Sequence, residues 1–270
     1  MSRNDELLAL AQRLADAFPP VVVEVVLTGS VSRGVADALS DVEMLVLTEE
    51  QVSLEEAFAL CETAGLTDVE TWGDPATATR RVHGYLDGQS IETIWWYPEL
   101  AEERFATTPS AEAFVNGVAL RGGAWLAGAQ KRLADFPDEL VAARCEAAAE
   151  RWGGWTPRGI LTVTRRDTAL ARMEWLVESA QRTLQIVYAV NRVHPGSAKR
   201  LAARLEALPT KPDETAERIE EALAEPDPRR ALLTMTELQL DTLALAPSGT
   251  NVERARKWLG AVAEVLAERG

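Results

Sequence analysis

The sequence predicts an α+β chain in two parts, a mixed-sheet domain over residues 1–137 followed by a helical bundle over residues 138–270. Three observations carry that expectation. Two β-branched apolar runs, Val21–Leu27 and the one that Ser40 opens and that ends at Leu47, flank a polar segment containing Gly29. An Asp87-Gly88 pair, the signature of a turn in which both central residues need positive φ, lies between Arg80–Leu86 and Ser90–Tyr97. From Asp138 onward the period-two patterns stop, and apolar residues recur at three-and-four spacing.

Taken in order, Asp5–Phe18 places Leu7, Leu8, Ala11, Leu14, Ala15 and Phe18 on one helical face, and Pro19-Pro20 ends that helix. Val21–Leu27 is too valine-rich for a comfortable helix and reads as a strand buried on both faces. It leads into Thr28-Gly29-Ser30. Glycine lets the backbone turn and approach a ligand closely, and Ser30 is expected to cap a short helix over Val31–Ala38. Free N–H groups at such a turn make an anion site suited to nucleotide phosphates, to which Arg33 adds a charged, multi-donor contact.

In the strand opened by Ser40, alternation puts Asp41, Glu43 and Leu45 on one face and Val42, Met44 and Val46 on the other. Two carboxylates so close repel unless a cation lies between them, and hard oxygen ligands suit Mg²⁺ shared with substrate phosphates. The plainer alternative is a strand end whose acids are simply hydrated.

Ser53 is a plausible cap for a helix through Ala64, stopped by Gly65, with Cys61 facing the core. Val69–Trp72 is a further short strand. In Ser90–Tyr97, Glu92 stands among Ile91, Thr93, Ile94, Trp95 and Trp96, so it either needs a partner or points to water from an edge. Asp87 is explained by the turn, and His83 by packing or by lining a substrate pocket. Ala111–Leu133 looks helical in spite of four glycines, and Asp135-Phe136-Pro137-Asp138 marks the domain boundary.

In the second part, Asp167 is expected to cap a helix whose inward stripe is Leu170, Met173, Val177, Ala180, Leu184 and Val187, with Trp175 and Tyr188 also in the core. Helices over Pro212–Glu225 and Asp227–Leu245 follow. Thr250-x-x-Glu253 then reads as a capping box before a stripe from Val252 to Leu266.

The formal net charge of −14 would repel a nucleic-acid backbone and attract a polycation. Two cysteines far apart support neither a zinc site nor a disulfide framework, which fits a cytoplasmic location. Met1–Phe18 is a charged amphipathic pattern and no apolar stretch is long enough to cross a membrane, so neither a signal peptide nor a membrane partner is expected.

The run Gly29-Ser30-Val31-Ser32-Arg33 followed by Ser40-Asp41-Val42-Glu43-Met44 resembles the signature of the DNA polymerase β-type nucleotidyltransferase superfamily, and within it the kanamycin (aminoglycoside) nucleotidyltransferases. The resemblance implies a polymerase β-like first domain. It implies that Gly29, Ser30 and Arg33 hold nucleotide phosphates and that Asp41 and Glu43 hold Mg²⁺ with a third acid from a neighbouring strand, the position matched by Glu92. In the helical part, Glu150 to Trp155 has the spacing of the base-bearing helix of the kanamycin enzymes. That makes Glu150 a candidate general base beside Glu92, with Glu146 a possible amine-binding acid; a solvated helix face explains both glutamates equally well.

The implied activity is transfer of a nucleoside monophosphate from ATP or another NTP to a hydroxyl of a small cationic molecule, an aminoglycoside by the nearest resemblance, with release of pyrophosphate. Antibiotic resistance and a homodimer come with that resemblance. Two other readings remain. One is protein AMPylation of the toxin–antitoxin type, against which the long helical part argues; the other is a non-catalytic nucleotide-binding regulator, which would not require three acids.

Overall fold

The computed structural model describes residues 2–72, 80–107, 111–150, 152, 159–160 and 169–267. Met1–Asp135 and Phe136–Gly270 form separate units, dividing inside the Asp135–Asp138 segment.

The first unit runs α1 (Arg3–Ala17), β1 (Val22–Thr28), α2 (Gly29–Ser32), β2 (Val42–Thr48), α3 (Leu54–Thr63), β3 (Thr67–Trp72), β4 (Arg80–Leu86), β5 (Gln89–Trp96), α4 (Pro98–Thr107), α5 (Ala111–Val115), β6 (Val118–Arg121) and α6 (Ala124–Ala134). The strands make one mixed sheet in the order β3-β4-β5-β2-β1-β6. Among the described strands the central β2–β5 pair is parallel and the other pairs are antiparallel.

Alternation along the strands sorts side chains to two apolar layers. Val42, Met44, Val46, Ile91 and Trp95 pack with Leu7, Leu14, Ala57 and Cys61 of α1 and α3. Val26, Leu45, Leu47 and Trp96 pack with Leu100, Phe114 and Leu126 of α4, α5 and α6. Burial pushes the Cys61 thiol up to about 12, so it stays protonated and unreactive at neutral pH. The β4–β5 hairpin turns on Asp87 and Gly88 at φ 52° and 76°, the pair of positive values that its sequence requires.

Two stretches depart from their sequence patterns. Ser30 does not cap a helix to Ala38: α2 is a single turn that starts at Gly29, with Thr28 in the cap position and making no side-chain cap bond. The stretch expected to be one helix across Ala111–Leu133 is broken by β6, whose ends are Gly117 and Gly122-Gly123. At Gly122 (φ +68°) a Cβ would stand 2.5 Å from the Val23 carbonyl oxygen. A helical pattern there loses to pairing with β1.

The second unit is helical: α7 (Asp138–Glu150), α8 (Ala169–Val190), α9 (Leu201–Glu206), α10 (Thr215–Ala224), α11 (Pro228–Leu245) and α12 (Thr250–Ala267). Asp227 caps α11 by accepting from the Arg229 and Arg230 N–H groups. Asp167, the expected cap of α8, lies outside the described residues.

The expected inward stripe of α8 holds in its second half, where Ala180 and Val187 are buried and Leu184 packs against the core, and Trp175 and Tyr188 are buried as expected, but it fails in its first half. Leu170, Met173 and Val177 are 72%, 40% and 39% exposed, while Trp175, Leu176, Ser179, Ala180, Thr183, Ile186 and Val187 are buried. The buried arc runs through Ser179 and Thr183, small polar residues that hydropathy alone would leave outside. No helix among the described residues is long and apolar enough to cross a membrane.

Candidate active site

The parallel register of β2 and β5 sets Glu43 opposite Glu92. Paired residues of adjacent strands project to the same face, about 4.8 Å apart at the backbone. The same register continues to both sides: Glu92 faces His83 on β4, His83 faces Glu70 on β3, and Glu43 faces Thr28 on β1. Glu70, His83, Glu92, Glu43 and Thr28 therefore form one row across five strands. Glu43 and Glu92 occupy the face that carries Leu45 and Ile94 further along, opposite the Met44 and Trp95 layer. Asp41, directly before β2, falls on the same side by alternation, and Asp41, Glu43 and Glu92 are all half-buried.

The turn after β1 closes over this row. Gly29 has φ +71°, and a Cβ there would lie 1.8 Å from Glu43 Oε2. The Glu43 carboxylate thus rests against the bare Cα of the turn, a position only glycine permits. Ser32 Oγ donates to the Gly29 carbonyl at 3.1 Å, and the Val35 N–H donates to the Ser30 carbonyl at 3.1 Å, which holds the turn. Thr28 Oγ1 donates to the Glu43 carbonyl at 3.2 Å. Arg33 lies 3.6 Å from Glu112 of α5, so its guanidinium is held near an acid of the same unit.

Asp41 is positioned by its neighbour. Ser40 Oγ donates to Asp37 Oδ1 and accepts the Asp37 N–H, and the Ser40 carbonyl accepts from Gln89 Nε2 at 3.0 Å. That last bond joins the start of β2 to the start of β5, next to both acids. Glu92 has a specific partner that sequence reasoning required but did not name: Arg81 Nη1 lies 2.9 Å from its Oε1. His83 Nε2 lies 2.9 Å from Ser90 Oγ, on the same face. Arg81 was discoverable in principle, because Arg81 and His83 alternate on one face of a strand joined by a two-residue turn to the strand of Glu92.

Three half-buried carboxylates beside a glycine turn present hard oxygen donors of the kind a divalent cation takes. As they stand, no three Asp, Glu, His or Cys side chains among the described residues gather closely enough to hold an ion. Glu92 is turned to Arg81 instead. The donor chemistry fits, and one oxygen of the Glu92 carboxylate, Oε1, is taken by the Arg81 guanidinium.

The helical unit treats its two glutamates differently. Glu146 is consumed structurally: its carboxylate accepts the Asn251 N–H at 3.0 Å and the Val252 N–H at 3.0 Å, capping α12. Helix α12 begins at Thr250 and the Glu253 N–H donates to the Gly249 carbonyl, so the Thr250–Glu253 capping box does not form. Glu150 is exposed at the last turn of α7, where its carbonyl accepts from Arg254 at 3.4 Å. Trp155, its expected companion, lies outside the described residues.

One buried acid escaped sequence reasoning altogether. Glu24, 5% exposed on β1, accepts the Trp125 N–H at 3.0 Å and the Leu126 N–H at 2.8 Å and so caps α6. No local signal announces it, because its partners lie about a hundred residues away.

Residues 8–73 match the nucleotidyltransferase domain family. The match spans most of α1 and everything through β3. The matched segment contains Gly29, Ser30, Arg33, Asp41 and Glu43, while Glu92 and Glu150 fall beyond it. The chain is also similar to a nucleotidyltransferase-like protein from Exiguobacterium sibiricum 255-15, at 13% identity and a TM-score of 0.41, over 98% of this chain and 91% of that one. No curated protein matches the chain.

Proposed function

We propose that this protein is a Mg²⁺-dependent nucleotidyltransferase that moves AMP from ATP to a hydroxyl of a small cationic acceptor, an aminoglycoside being the first candidate, with release of pyrophosphate. The observation that carries the reading is the pairing of Glu43 with Glu92 on the face shared by Asp41, against the bare Cα of Gly29. A structural role alone gives no reason to set acids side by side on adjacent strands, where like charges destabilise the sheet.

In this reading Asp41, Glu43 and Glu92 hold the cation. When bound, it neutralises the triphosphate and stabilises charge on the α-phosphoryl group. The backbone of Gly29 and Ser30 and the guanidinium of Arg33 orient the β- and γ-phosphates as the leaving group. The acceptor hydroxyl gives its proton to a carboxylate, Glu150 or Glu92. The net charge of −14 favours a polyamine sugar over a nucleic acid as partner. A cytoplasmic homodimer completes the proposal, with light scattering of the purified chain as the check on its mass.

The test is incubation with Mg²⁺, α-labelled ATP and a panel of aminoglycosides, beside Asp41→Asn. Label should move to at least one sugar, and Asp41→Asn should lower the rate at least a hundredfold, the order expected when a group that stabilises transition-state charge is removed. No labelled product with any acceptor, or full activity in Asp41→Asn, defeats the proposal.

A further inference from the structure

We infer that Arg81 is a two-position latch, paired with Glu92 when the site holds no cation and handed to Glu70 when a divalent ion takes Glu92. This rests on the proposed metal-binding role of Asp41, Glu43 and Glu92.

Arg81 faces Ile94 on β5 and Trp72 on β3. Its diagonal neighbours on its own face are therefore Glu92 on one side and Glu70 on the other. Diagonal positions in an antiparallel pair lie about 7–8 Å apart, within reach of a long side chain. Arg81 thus stands between two acids, and Nη1 is bonded to one of them at 2.9 Å. Glu70 is exposed on β3.

Charge and exposure make the first pairing replaceable. The side chains of Arg81 and Glu92 are 44% and 21% exposed, so their attraction is screened, and a pair of this kind changes an equilibrium only a few-fold. A divalent ion facing three carboxylates competes with a single guanidinium for the same oxygen. It also repels that guanidinium, which Glu70 can then accept without exchanging strands or breaking the sheet. The latch explains why the three acids share a face and yet do not converge: Glu92 is held on the β4 side until a cation draws it toward Glu43. It also keeps an acid-rich row from being a cluster of uncompensated charge in the free protein.

The test is calorimetric titration of Mn²⁺ into the full chain, comparing wild type with Arg81→Met, Arg81→Lys, Glu70→Gln, the Arg81→Met/Glu70→Gln double variant and Asp41→Asn, each checked for folding by circular dichroism. Removing the competing charge in Arg81→Met should tighten Mn²⁺ binding roughly two- to fivefold. Arg81→Lys should stay near wild type. Glu70→Gln, which takes away the second seat, should weaken binding, and the same change should have no effect once Arg81 is Met.

Unchanged or weaker Mn²⁺ binding in Arg81→Met, with Asp41→Asn abolishing it, overturns the latch and leaves the metal site standing. Mn²⁺ binding that neither Asp41→Asn nor Arg81→Met alters overturns both.

Discussion

Gly29 and Gly34 offer a matched pair of substitutions that separates backbone strain from damage to the candidate site. Both have φ +71°, so an alanine at either adopts a left-handed conformation that disfavours a Cβ by about 1–2 kcal/mol. Their surroundings differ. Nothing lies within 4 Å of a Cβ at Gly34, whereas a Cβ at Gly29 stands 1.8 Å from Glu43 Oε2 and 2.8 Å from its Cδ. The atoms in the way are the end of a flexible side chain, so the added loss of stability is small. The carboxylate must nevertheless retreat by about 1.6 Å to reach the 3.4 Å at which ordinary contact begins. A displacement of ~1 Å at a reacting centre can lower a rate a hundredfold.

The expected outcome is therefore asymmetric. Urea denaturation should show Gly29→Ala and Gly34→Ala destabilised alike, by about 1–2 kcal/mol. Mn²⁺ titration and nucleotidyl transfer should show only Gly29→Ala impaired, with the rate down on the order of 100-fold. If Gly29→Ala retains the cation affinity and turnover of Gly34→Ala, the placement of Glu43 as a ligand is wrong.

Three further predictions concern the scaffold. Glu24→Ala strips two charge-assisted bonds from the start of α6 and should destabilise the chain by about 3 kcal/mol in chemical denaturation, whereas Glu24→Gln, which keeps one acceptor, should lose less. Gln239 is fully buried on α11 and neither of its amide atoms has a partner among the described residues, so Gln239→Leu should raise the melting temperature by relieving about 1–3 kcal/mol of desolvation; a fall would show that its polarity is used. The Glu56 carboxyl is held below its usual range chiefly because it accepts the Ser53 N–H. A depressed folded-state pKa contributes stability above the unfolded value and loses it as pH falls through the folded one. The urea midpoint of Glu56→Gln should therefore lie below that of wild type at neutral pH, and the gap should close as the pH falls through the lowered carboxyl range.

What could be read from the chain alone is what depends on a few neighbouring residues. The Asp87-Gly88 turn, the Ser53 cap, a helix beginning at Asp227 and the alternation that puts Asp41 beside Glu43 are each settled within about one turn of backbone, where sterics and side-chain reach leave little choice. Position 29 belongs to the same class, since a glycine ahead of two acids already suggests a close approach. Local patterns also misled. The apolar spacing of Leu170, Met173 and Val177 was a true helical stripe on the wrong side, because packing chose an arc that admits Ser179 and Thr183.

Only the tertiary structure decided which strand would lie against β2, and with it that Glu92 meets Glu43 rather than one of the buried residues beside it. It also decided that Arg81 reaches Glu92 eleven residues away, and that Glu24 and Glu146 spend their carboxylates on helix starts 101 and 105 residues distant. The reason is physical. A parallel register, an ion pair across a sheet and a helix capped from another element are chosen by how whole layers pack, and slipping a strand by one residue would reverse every side chain on it while leaving its sequence pattern unchanged.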